Sequence, residues 1–157
     1  MRDSERRNHL DRYEIHKRIR DRLRRTEGVM EVRAKPSSMR PIRVHAVLDT
    51  SEFIGEEYES EAELEVEWRP RQERDEFRIQ YNEFGTEWSC GWHQDNDHEE
   101  LGPVHFQVNH SEWDGGHHEA ASFGDKNPMA VLEDCLEKLK SKVAELPEKV
   151  NSDGKEV

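Results

Sequence analysis

Nowhere does an apolar run in this chain approach the ~20 residues that span a bilayer, and the charged amino terminus lacks the apolar centre of a secretory signal. These absences predict a cytoplasmic protein with no membrane partner. Cysteine is scarce too. Cys90 and Cys135 stand alone, too few for a disulfide framework or a thiolate zinc site, so both thiols are expected to be reduced. Large aliphatic residues and phenylalanine are thin: Leu, Ile, Val and Phe make up 30 of 157 residues. With a net charge of −12, disorder must be weighed. Four tryptophans and several alternating runs argue instead for one folded domain with a modest core. Three common catalytic signatures are missing: the Gly-x-Ser-x-Gly elbow, the Walker loop and the strand-linked dinucleotide loop.

Charge is what the sequence has in abundance. Acidic residues outnumber basic ones 36 to 24, and arginine exceeds lysine 16 to 8. Dense carboxylates of this kind suit solubility in a high-salt, halophilic cytosol and say nothing of fold. Residues 1–25 run against the trend with a net charge of +5, leaving −17 for the remainder. Within them Ile15, Ile19 and Leu23 recur every fourth residue, which predicts a basic helical arm over residues 1–27 with one narrow apolar stripe. Thr26-Glu27-Gly28 would end it. Such a helix could meet nucleic acid or dock on the acidic remainder of its own chain or of a partner.

From Pro41 onward a period of two takes over. Ile42 to Leu48, Ala62 to Trp68, Phe77 to Tyr81, Trp88 to Trp92 and Val104 to Val108 each alternate apolar and polar positions. Asp114-Gly115 offers a hairpin turn, with His117 to Phe123 as the returning strand. After Pro128, which can occupy a first helical turn, Val131, Leu132, Cys135, Leu136, Leu139, Val143 and Leu146 follow helical spacing. The expected fold is α+β: an antiparallel meander sheet of five to six strands, one face covered by a C-terminal helix, plus the basic N-terminal helix. Residues 28–146 would form the single domain and 147–157 a loose tail. Cys90 and Cys135 should both point into the apolar layer.

The segment GWHQDNDHEELGPVHFQVNH, residues 91–110, concentrates four histidines among carboxylates. A hairpin centred on Glu99 sets Trp92 opposite Phe106, Cys90 opposite Val108 and His93 opposite His105. One register thus buries the tryptophan and leaves the two histidines together on the other face. Arg43, His45, Glu65, Glu67, Arg78 and Gln80 fall on that same face. Opposed imidazoles near carboxylates can exchange protons near neutrality; imidazole and carboxylate can also hold a divalent ion. The acid–base reading uses His93, His105, Asp95, His98 and Arg78. The metal reading uses His93, His98, His105 and Asp97. A purely structural or solvating role stands beside both. His118, placed opposite Ser111 by the Asp-Gly turn, is expected roughly 20 Å from His105 at strand rise.

The run HQDNDHEELGPVHF, followed by NPMAVLEDCLEKL on the terminal helix, resembles the TumE-like toxins of prokaryotic toxin–antitoxin pairs over roughly residues 60–140. Asp95, Asn96 and His98 match that family's loop, and Pro103 and His105 its following strand. Asp97 departs from the small residue or proline expected there, and Phe106-Gln107 replaces a denser histidine cluster. The resemblance implies a toxin neutralised by an antitoxin-like protein, with ribonuclease activity; the histidine-pair mechanism would act on RNA and needs no cofactor. Two further readings remain: a non-catalytic acidic interaction module, and a histidine–carboxylate protein that takes a divalent metal.

Overall fold

The computed structural model describes residues 2–37, 39, 41–59, 61–95, 100, 102–113 and 115–146, and side chains from residue 12 onward. Among the described residues seven antiparallel strands follow in chain order: β1 (Val29–Lys35), β2 (Arg43–Asp49), β3 (Glu61–Arg69), β4 (Glu76–Glu83), β5 (Trp88–Gln94), β6 (Val104–His110) and β7 (His117–Ala121). Each pairs only with its sequence neighbours, so the sheet is a plain meander, β1 to β7. Helix α1 (Arg2–Arg24) precedes it, a single turn α2 (Thr50–Phe53) follows β2, and α3 (Pro128–Ala144) follows β7.

The alternation expected from the sequence sorts the sheet into two faces. Val44, Ala46 and Leu48 on β2, Leu64, Val66 and Trp68 on β3, and Ile79 and Tyr81 on β4 are buried on one side. Cys90, Trp92, Phe106 and Val108 continue that layer across β5 and β6. Val131, Leu132, Cys135, Leu136, Leu139 and Val143 of α3 pack onto it. So do Ile19 and Leu23 of α1, making the basic helix part of the core. Both cysteines are buried, and burial pushes the Cys135 thiol well above its usual range. Among the described residues no helix is long and apolar enough to cross a membrane.

Local chemistry fixes the helix ends. Asn127 caps α3 by accepting from the Met129 amide at 3.0 Å, with Pro128 in the first turn. Asp49 does the same for α2, accepting from the Ser51 amide at 3.1 Å. α1 is tied down twice. Arg22 grips the Glu133 carboxylate of α3 with two donors. His16, fully buried, donates from Nδ1 to the Arg12 carbonyl at 2.7 Å and accepts from the Trp68 amide on β3 at 3.2 Å.

Two expectations need correction. The sheet has seven strands, because residues 29–35 form an additional edge strand, β1. Only Val32 of that strand is buried, and a register shift falls between Val29 and Glu31, so no clean alternation marks it in the sequence. The β6–β7 pairing also differs: His118 lies opposite Gln107, not Ser111. The pairing runs out at Val108 with His117, and Trp113 packs edge-on to Trp88, with ring centroids 5.3 Å apart. A shift by an even number of residues keeps each side chain on its face, so the apolar pattern does not choose between the two registers. The expected tail, residues 147–157, lies outside the described residues.

Candidate functional site

The β5–β6 pairing is the one drawn from the sequence: Trp92 faces Phe106, Cys90 faces Val108, and His93 faces His105. Burial of the tryptophan face leaves His93 and His105 on the polar face, with ring centroids 5.4 Å apart and planes at 73°. The revised β7 register adds a third imidazole. His118 stands diagonally across from His105 with centroids 5.6 Å apart, so three histidines on three adjacent strands form one row. His105, in the middle, is only 1% exposed; the notion of two solvated rings does not hold for it. Arg78 on β4 sits directly opposite His93 and is exposed. Asp95 lies just past the end of β5 and is half-buried. Asp97 and His98 fall outside the described residues.

Gly91 makes the local geometry. It faces Gln80 on β4 and Gln107 on β6, and a Cβ there would meet the Ile79 carbonyl at 2.3 Å and Gln80 Oε1 at 2.7 Å. The vacant side-chain position lets Gln80, itself buried, lie across the glycine and accept a hydrogen bond from His93 Nε2 at 2.8 Å. That bond places the ring proton on Nε2 and leaves Nδ1 as the basic nitrogen. Burial, followed by the positive charge of Arg78, lowers the His93 pKa from its ordinary value to about 4. His93 is therefore neutral at pH 7. His105 Nε2 reaches Gln107 Oε1 at 3.3 Å.

From Gln80 the bonds continue across the sheet with one polarity. Gln80 Nε2 donates to Asn82 Oδ1 at 3.2 Å, and Asn82 Nδ2 donates to Glu63 Oε1 at 3.2 Å. From the other side, His45 Nε2 meets Glu63 Oε2 at 2.5 Å. Every donor points toward the Glu63 carboxylate, which anchors the orientation of both amides and hence of His93. The sequence had placed Gln80 and His45 on this face. Glu63, with the same parity as Glu65, carried a signal that could have been used; the diagonal reach of Gln80 over Gly91 had none beyond the glycine itself.

This arrangement is equipped for proton transfer: a neutral base with a fixed tautomer, two further imidazoles within ring contact, and an adjacent arginine. It offers no thiol nucleophile, since Cys90 faces the core. No family model, curated protein or solved structure matches the chain.

Proposed function

We propose that the polar face of the sheet is a histidine acid–base centre, and that the protein is the toxin-like member of a toxin–antitoxin pair that cleaves RNA without a metal. The observation that supports this most is the row His93–His105–His118, with His93 held neutral and Arg78 across the strand from it. In such a reaction His93 Nδ1 takes the proton of a ribose 2′-hydroxyl. The 2′-oxygen bonds to phosphorus, the bond to the 5′-oxygen breaks, and His118 protonates that leaving oxygen. The products are a 2′,3′-cyclic phosphate and a 5′-hydroxyl. Arg78 offsets charge developing on the phosphoryl oxygens, and buried His105 holds its two neighbours in place. Asp95, just past the end of β5, flanks the cluster; the part expected of His98 falls outside the described residues. An antitoxin-like protein would cover this face, and the setting would be cytoplasmic. The carboxylate-rich surface supports a high-salt cytosol, where phosphate binding by the basic helix has little counterion-release drive.

The test is toxicity on expression. His93→Ala, His105→Ala and His118→Ala should each restore host growth while the purified variants keep the parental circular dichroism. Undiminished toxicity in His93→Ala and His118→Ala would remove the proposal.

The burial of His105 favours a second reading, a non-catalytic interaction module whose polar residues are already satisfied among themselves. Removing α1 would not separate the two, because Ile19 and Leu23 belong to the core. Reversing the exposed charges at Lys17, Arg18, Arg24 and Arg25 does so. A module that binds acidic partners through α1 would lose them, whereas the nuclease would keep its cleavage products.

A further inference from the structure

Two strands from the imidazole row, the polar face carries a second cluster that the proposed reaction does not use. His45 on β2 lies directly opposite Glu65 on β3, and Glu63 faces Val47 one position diagonal to it. Residues two apart on one strand start ~6.5–7 Å apart. Yet one donor atom from each of His45, Glu63 and Glu65 lies within 4.8 Å of the others. Two carboxylates have thus converged on one imidazole, and all three side chains are half-buried, at 17%, 22% and 29% exposure.

Like charges brought together in a partly desolvated place favour a cation, and the arginine paired with Glu65 is loosely placed. Arg43 approaches Glu65 only to 3.8 Å. Glu63 also has a neutral partner: Asn82 donates to its other oxygen at 3.2 Å. That contact leaves one Glu63 oxygen directed at His45 and its neighbour, as an outer hydrogen bond does for a metal-ligating carboxylate. A cavity of about 290 Å³ lined by Arg43, Glu65, Glu67 and Arg78 adjoins Glu65 and gives solvent ions a way in.

We propose that His45, Glu63 and Glu65 form a binding site for a divalent transition-metal ion of the zinc or manganese kind. One imidazole nitrogen and two carboxylate oxygens match the ligand preferences of such ions. At metal–ligand distances of ~2.0–2.2 Å, donors stand about 3.3 Å apart in a tetrahedral arrangement. The His45–Glu63 contact therefore opens slightly, Glu65 closes in, and the ring ligates through Nε2 with its proton on Nδ1. The site uses none of the histidines of the acid–base chemistry proposed above and shares with it only Glu63, the far end of the bonds that orient His93.

The full chain, purified without an affinity tag and stripped with chelator, would be titrated by calorimetry with zinc and, separately, with manganese. Bound metal would be counted by mass spectrometry after gel filtration. One equivalent of at least one ion is expected. His45→Gln, Glu63→Gln and Glu65→Gln, each close in volume to the original, should weaken binding by about tenfold or more with an unchanged melting curve; Asn82→Ala should weaken it by ~10-fold through the outer hydrogen bond. Absence of saturable binding by either ion would overturn the proposal. So would a bound equivalent that survives all three glutamine variants, or one that is lost instead in His93→Ala or His118→Ala.

Discussion

The Nε2 proton of His93 ends on Gln80, and that bond selects the ring tautomer, while burial and then the positive charge of Arg78 work against protonation. With the folded pKa near 4 and the ordinary value at 6.5, protons bind the unfolded chain more readily than the folded one. This stabilisation is fully present above pH 6.5, falls away as pH drops through the window from 6.5 to 4, and totals on the order of 3 kcal/mol. Burial lowers the pKa of His16 as well, and its accepted bond from the Trp68 amide needs a neutral ring, so it adds loss of the same sign below pH 6.5. Urea unfolding at pH 7 and at pH 4.5 should show the drop, and His93→Gln should reduce it; identical pH slopes in the two proteins would refute the link. Gly91→Ala is expected to destabilise by ~1–3 kcal/mol, because the new methyl group would press on the Ile79 carbonyl, a backbone atom that cannot swing aside. Chemical denaturation measures it, and a neutral substitution would contradict the packing described.

At the scale of elements, α1 is held by Ile19, Leu23 and His16 more than by its charge. Leu23→Ala should cost about 2–5 kcal/mol, whereas Arg24→Ala, on the exposed side, should change the urea midpoint little. Equal effects would mean that the helix is not packed as described. These elements also show how far a sequence can be read. Parity alone placed His93 and His105 together, because a slip of one residue would have exposed Trp92. It could not place His118, because a four-residue shift keeps every side chain on its own face and costs the apolar pattern nothing. The observed register goes with the packing of Trp113 on Trp88, a contact that alternation along the strands does not announce. Strand β1 escaped notice for a similar reason: an edge strand with one buried residue leaves almost no periodic trace. His16 is a tie between helix and sheet that depends on where the amide of Trp68 falls, and spacing along the helix contains nothing about that.

Across the whole molecule, the charge of −12 is spread over a thin core, and self-repulsion opposes folding. Salt shortens the reach of that repulsion from ~10 Å at 0.1 M to ~3 Å at 1 M. Raising sodium chloride over that range should therefore raise the melting temperature, although it weakens surface pairs such as Arg22 with Glu133. A lower melting temperature in 1 M salt would show that attractive pairs outweigh the net charge. The central claim is that the meander gathers His93, His105 and His118 into one row in which His93 stays neutral as its Nε2–H tautomer. Long-range proton–nitrogen NMR of the imidazole rings reads this directly as pH is lowered from 7.5 to 5. A His93 ring that keeps the Nε2–H pattern throughout, with nuclear Overhauser contacts from His105 to both neighbours, is the predicted result. A His93 that takes up a proton near pH 6.5, or a His118 with no contact to His105, would contradict it.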